Sequence, residues 1–233
     1  MRFSAILLAA LLVLALPLTA RAAAAELRVN EGKLFLTRDG KSTALAEGGL
    51  LIGEVQGASL RYAGIAEEDA AKAGVAAGLY LFDDRGKVAG FLPVAEADMV
   101  ADVLISPGGK TLITDNGSSV LRGLQFFSYP ELNALSEQYF SCISTESPDL
   151  FLWLGDDRIV CTDVNPELTR KCPSENCQPL SVVLHNPSGA GSTVLFEGTM
   201  LCDFELLSVT DNKLTARKTC VGRPADWEEF IPD

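Results

Sequence analysis

Three times between residues 103 and 198 the chain repeats one phrase: a β-prone run, a proline-containing turn, and a second β-prone run. VLISPGGKTLIT fills 103–114, CISTESPDLFLWL fills 142–154 and VVLHNPSGAGSTVLFEG fills 182–198. Pro107, Pro148 and Pro187 recur about 40 residues apart, and a further β-prone run keeps step with them at 79–82, 124–127, 159–161 and 204–207. Self-similarity of this period means one supersecondary unit stacked on copies of itself, because a single unit cannot bury its apolar face alone. The stretch 102–140 shows the unit most fully. It is expected to form four strands around turns at Ser106-Pro107-Gly108-Gly109, Asp115-Asn116-Gly117 and Tyr129-Pro130-Glu131.

Earlier segments fit the same reading. Runs at 27–29, 33–38 and 41–45 are punctuated by Glu31-Gly32 and Asp39-Gly40, which suit tight hairpins. Two more strands are expected at 50–54 and 60–64, and a hairpin over 79–94 around Asp83-Asp84-Arg85-Gly86. Only 66–77, alanine-rich with acids early and Lys72 later, reads as a helix, and Gly74 weakens its end.

The decamer ISPGGKTLIT at 105–114 resembles the blade phrase S-P-D-G-K-x-L of WD-type and YVTN-type β-propeller repeats, with Gly108 where those repeats carry aspartate. That resemblance implies an all-β, propeller-like fold of about five four-stranded blades. Units at 50–95, 96–140, 141–178 and 179–221 supply four. Residues 26–49 and the run Asp226-Trp227-Glu228-Glu229-Phe230-Ile231 would join the two ends in one composite blade and remove the exposed sheet edges. A two-sheet β-sandwich is the alternative, since it also strings short strands together at close spacing.

Residues 1–25 read as a secretory signal peptide: Arg2, an apolar run over 5–18, then small residues around Ala20-Arg21-Ala22 and Ala22-Ala23-Ala24. The apolar run is shorter than the ~20 residues that span a bilayer, so no stable membrane insertion is expected after cleavage. Residues 26–233 are then expected as a single β-propeller-like domain, periplasmic or extracellular and monomeric. Losing Arg2 and Arg21 deepens the net charge from −12 to −14. A surface this acidic repels phosphate backbones, and nucleic acid is excluded as a partner class.

All six cysteines, Cys142, Cys161, Cys172, Cys177, Cys202 and Cys220, follow residue 140. Behind an export signal an even count reads as disulfides. Spacing ranks the pairings. Cys202 and Cys220 lie symmetrically about Asp211, Cys161 and Cys172 flank Asn165-Pro166-Glu167, and Cys142 would then meet Cys177. Their closest spacing is C-x4-C and His185 is the single histidine, so no metal site is expected.

No catalytic residue or cofactor-binding motif is legible. His185 has Ser181 and Ser188 as serine neighbours, but neither sits in a G-x-S-x-G elbow. Asp83-Asp84, Asp156-Asp157 and Glu67-Glu68-Asp69 are paired acids of the kind glycosidases use, yet the first two pairs lie between strands, where aspartate favours turns. Asp115-Asn116-Gly117 and Asp163-Val164-Asn165-Pro166-Glu167 offer oxygen ligands without completing a calcium loop. Trp153 and Trp227 present faces that stack on sugars, but the β runs need such side chains for packing. The expected function is a binding or scaffold module for a protein or small-ligand partner. The alternative is a hydrolase of glycosides or lactones centred on the channel, to be recognised by acids or His185 converging on the axis.

Overall fold

The computed structural model describes residues 26–31, 33–45, 52–118, 121–143, 149–164, 170, 179–189, 191–197, 202–211, 213–220 and 223–230. They form five antiparallel meanders. Sheet 1 is β1 (Glu26–Asn30), β2 (Lys33–Arg38) and β3 (Lys41–Ala44). Sheet 2 is β4 (Ile52–Glu54), β5 (Arg61–Ile65), β6 (Gly78–Phe82) and β7 (Val88–Leu92). Sheet 3 is β8 (Val100–Ile105), β9 (Thr111–Ser118), β10 (Leu121–Ser128) and β11 (Phe140–Ile143). Sheet 4 is β12 (Phe151–Leu154), β13 (Arg158–Val164), β14 (Leu180–Asn186) and β15 (Gly191–Glu197). Sheet 5 is β16 (Cys202–Thr210), β17 (Lys213–Cys220) and β18 (Arg223–Phe230). The helix α1 (Glu67–Ala73) ends on Gly74 in the left-handed conformation.

Side-chain alternation along a strand explains how the sheets stack. Interior strands are apolar on both faces, so they read as unbroken runs. All five residues of β6, Gly-Leu-Tyr-Leu-Phe, are buried. Leu79 and Leu81 pack toward sheet 3 with Val103 and Leu112, while Tyr80 and Phe82 pack toward sheet 1 with Leu27 and Leu34. On sheet 3, Leu112 belongs to the core shared with sheet 2, and its neighbour Ile113 to the core shared with sheet 4. Sheet 4 repeats the pattern, with Ile159 facing sheet 3 and Val160 facing sheet 5. Each core therefore belongs to two consecutive sheets.

The end sheets differ. Leu27 and Val29 of β1 are buried, while Glu26, Arg28 and Asn30 between them are exposed. On sheet 5, Phe204 and Leu206 are buried, and Glu205 between them pairs across the strands with Arg217 at 3.0 Å. These outward charges cap the stack as polar terminal repeats do.

The fold is thus all-β and propeller-like, and five sheets exclude the two-sheet sandwich. Two expectations about the sheets are corrected. First, β18 pairs with β17 and not with the N-terminal strands, so the ends build two separate three-stranded sheets in place of a composite blade. Glu26, Arg28, Glu205 and Arg217 lie on the outward faces of these end sheets, and covering such charges carries a desolvation cost. Second, β11 closes sheet 3 where the repeat reading made it begin the next unit, so sheet 4 runs over 151–197. The expected turn at Asp115-Asn116-Gly117 is also absent. All three residues lie in β9, which pairs with β10 as far as Ser118↔Leu121.

Polar contacts lock sheets 3 and 4 together. The Gly108 amide donates to Asp156 Oδ1 at 2.6 Å, and Lys110 Nζ stands 3.5 Å from Oδ2. A Cβ at position 108 would overlap that carboxylate, which would have to move aside. A disulfide joins Cys142 on β11 to Cys161 on β13. This overturns the expected Cys161–Cys172 and Cys142–Cys177 pairs, because Cys161 sits mid-strand and faces the neighbouring sheet. Cys172 and Cys177 lie outside the described residues. Cys202 and Cys220 are Cα partners in the β16–β17 register.

The carboxylate of Asp156 is three-quarters buried and serves two donors. Asp156→Ala is expected to cost about 1.5 kcal/mol in urea unfolding. The exposed neighbour is the control: Asp157→Ala is expected to stay within about 0.5 kcal/mol of the parent.

Candidate functional site

The first strands of sheets 2, 3 and 4 approach one another along one edge of the stack. Gln56, just beyond β4, is bridged to β8: its amide donates to the Val103 carbonyl at 2.9 Å, and its carbonyl accepts from the Ile105 amide at 2.8 Å. Beside this bridge opens a pocket of about 460 Å³. Gln56, Asp102, Leu104 and Asp115 line one side, and the segment Asp149-Leu150-Phe151-Leu152-Trp153 lines the other. Phe151 is buried and its ring meets Trp153 edge-on at 5.5 Å, while Trp153 is half-buried at the wall.

The sheet 3 side is organised by Arg122. Its guanidinium grips Asp115 with both arms, Nε to Oδ1 at 2.9 Å and the terminal nitrogen to Oδ2, and reaches Asp102 at 3.9 Å. Gly117 lies directly opposite Arg122 on the paired strand, where a Cβ would come within 2.8 Å of Arg122 Cα. Glycine there lets the long side chain fold back over β9. Burial pushes the Asp115 carboxyl above the usual aspartate range. The hydrogen bonds and charge of Arg122 pull it back, and Asp102 adds to the rise. Gln56 Nε2 donates weakly to Asp102 at 3.5 Å.

The paired acids singled out in the sequence serve the scaffold. Asp83 Oδ1 accepts from the amides of Arg85 and Lys87, which makes it a turn former. Asp156 clasps sheet 3. Glu67, Glu68 and Asp69 sit in the first turn of α1, where Glu68 pairs with Lys72. None of these lines the pocket. The acids that do, Asp102 and Asp149, stand alone in the sequence, and Asp115 reads there as a turn residue. A cue for Asp115 is Arg122 seven residues on, with Gly117 between, in a hairpin whose strands place the two side by side.

His185 forms a second centre, between sheets 3 and 4. It is buried, with Nε2 3.0 Å from the Ser141 carbonyl and Nδ1 2.8 Å from Ser192 Oγ. The carbonyl can only accept, so the ring proton sits on Nε2 and Nδ1 accepts from the hydroxyl. The Phe140 ring packs at 5.1 Å. The structure brings neither Ser181 nor Ser188 to the imidazole. Register pairs His185 with Ser192, across a hairpin centred on Ser188-Gly189. A His185 nitrogen and the sulfurs of Cys142 and Cys161 lie within 4.8 Å of one another, but the sulfurs are bonded together and present no thiolate to a metal. Trp227 lies on β18, its Cα paired with that of Ala216.

Neither a family model nor any individually curated protein matches the chain. Among solved structures, a eukaryotic initiation factor overlaps 77% of this chain and 44% of its own length, at 14% identity and a TM-score of 0.39. Hydrazine synthase of Kuenenia stuttgartiensis overlaps 81% and 53%, at 15% identity and 0.34. TolB of Acinetobacter baumannii overlaps 89% and 64%, at 10% identity and 0.27. The chain thus spans about half the length of the first two. Among the described residues, no helix is long and apolar enough to cross a membrane.

Burial holds His185 below the ordinary histidine range, against smaller upward pulls from the Ser141 carbonyl and Asp163. The unfolded chain takes up a proton near pH ~6.5, the folded chain only at lower pH. Stability is therefore expected to fall as the pH drops below that value, levelling off under the folded pKa. Because His185 is the only histidine, this step should disappear from the pH dependence of urea midpoints in His185→Gln.

Proposed function

We propose that the chain is an exported binding module, acting as one domain over residues 26–233 after removal of 1–25. Its partner, a protein or a small ligand, docks in the pocket between the first strands of sheets 3 and 4. The observation that carries this reading is the composition of that pocket. Apolar and aromatic walls, from Leu104, Phe151 and Trp153, stand beside a few polar groups, Gln56, Asp102 and Asp149. Binding sites are built in this way, with apolar area for affinity and sparse polar groups for orientation. The acidic chain turns phosphate-rich partners away. A disulfide between sheets 3 and 4 suits an oxidising compartment and braces the pocket's two walls.

Hydrolysis of glycosides or lactones is the weaker reading. Glycoside cleavage needs two carboxylates free to face the scissile bond. Here Asp115 has both oxygens committed to Arg122, and Asp102 lies within reach of the same guanidinium.

Capture with in-compartment crosslinking tests the proposal, using the parent chain, Asp149→Lys and Trp153→Ala. Asp149 is exposed, so its variant should fold normally. The expected result is one species crosslinked to the parent and reduced at least about tenfold in both variants. Equal recovery by all three chains would contradict docking at this pocket. Hydrolysis of a glycoside or lactone that needs Asp102 and Asp149 would establish the other reading.

A further inference from the structure

Ser192 and His185 have the arrangement of an activated nucleophile and its base. Ser192 is exposed on β15, while its partner imidazole is buried. The Ser141 carbonyl fixes the ring proton on Nε2, so the lone pair on Nδ1 points at Ser192 Oγ, 2.8 Å away. Behind that carbonyl, Ser141 Oγ donates to Asp163 Oδ2 at 2.6 Å. A carboxylate is thus held close enough to favour a positive charge on the ring. Nucleophile, base and orienting group occupy three strands, β15, β14 and β11, in one continuous chain of hydrogen bonds.

We propose that Ser192 is a nucleophile that accepts acyl groups from activated carboxylic esters, with His185 as its general base. In the first step Ser192 Oγ bonds to the ester carbonyl carbon and His185 Nδ1 takes the hydroxyl proton. The tetrahedral adduct then collapses. The bond to the leaving oxygen breaks with its electron pair, and that oxygen receives the proton from Nδ1. Water repeats the sequence on the acyl-serine, giving the free acid and restoring the hydroxyl. Ser141 and Asp163 are positioning residues that steady the imidazolium between steps. β15 is the last strand of sheet 4. The residues are distinct from those of the pocket, and the chemistry does not rest on the binding reading.

The test is labelling of the full, disulfide-intact chain with a fluorophosphonate probe, followed by mass spectrometry. The expected result is one adduct, on Ser192, absent in Ser192→Ala and formed about 100-fold more slowly in His185→Gln. Parent labelling supplies a readout that does not depend on whether the buried-histidine variant folds. Its rate should fall as His185 is protonated, at a pH below the ordinary histidine value. Around the ring stand the Ser141 carbonyl, Asp163, Phe140, the Cys142–Cys161 disulfide and Ser192, so Asp163 is the charged group expected to modulate that midpoint. No adduct on Ser192, a rate equal to that of exposed Ser188, or a rate that does not fall on acidification below the ordinary histidine value would each overturn the proposal.

Discussion

Burial on both faces of the interior sheets is the constraint on which the rest depends. A sheet that shares each face with a neighbour must be apolar at successive positions, and β6 meets that demand with five buried residues in a row. The demand propagates from sheet to sheet until a strand offers charge on its outer face. Glu26 and Arg28 end the stack on one side, and Glu205 with Arg217 on the other.

The stack also determines where chemistry can sit. The faces of the interior sheets are consumed by packing, and the two candidate centres lie at strand edges of those sheets. The pocket beside Gln56 and Trp153 lies along first strands, and Ser192 lies on the last strand of sheet 4. Asp156 and the Cys142–Cys161 bridge act between sheets 3 and 4, where the core alone is supplemented by directional bonds. Apart from Gln56, the pocket walls come from those same two sheets.

Much of this was legible in the residues. Unbroken apolar runs marked the interior strands, and the Ser-Pro-Gly-Gly turn and the short helix appear where expected. Long-range choices were not legible. The run Phe140–Ile143 precedes a proline turn as the other repeats do, yet its partner is β10, and local pattern does not say which neighbour a strand will take. The flanking positions of Cys161 and Cys172 around Asn165-Pro166-Glu167 suggest a hairpin pair, whereas Cys161 points across to another sheet. Asp-Asn-Gly favours a turn at Asp115, and strand pairing with the Arg122 contact outweighs that preference. For Ser192, symmetry about the Ser188-Gly189 turn was a usable cue, since hairpin partners are equidistant from the turn centre.

The most direct measurement of this architecture is thiol reactivity at adjacent positions on end and interior strands, with native disulfides intact. On β1 the pair is Leu27→Cys and Arg28→Cys, and on β17 it is Ala216→Cys and Arg217→Cys. Their parent side chains alternate between buried and solvent-facing, with Leu27 and Ala216 only 4% and 0% exposed. On β6 the pair is Tyr80→Cys and Leu81→Cys, both buried. One-sided end sheets predict fast maleimide labelling at 28 and 217, protection at 27 and 216, and protection at both positions of β6. Protection at 28 or 217 would mean that an outer face is covered, as in a closed ring, and would contradict the open stack.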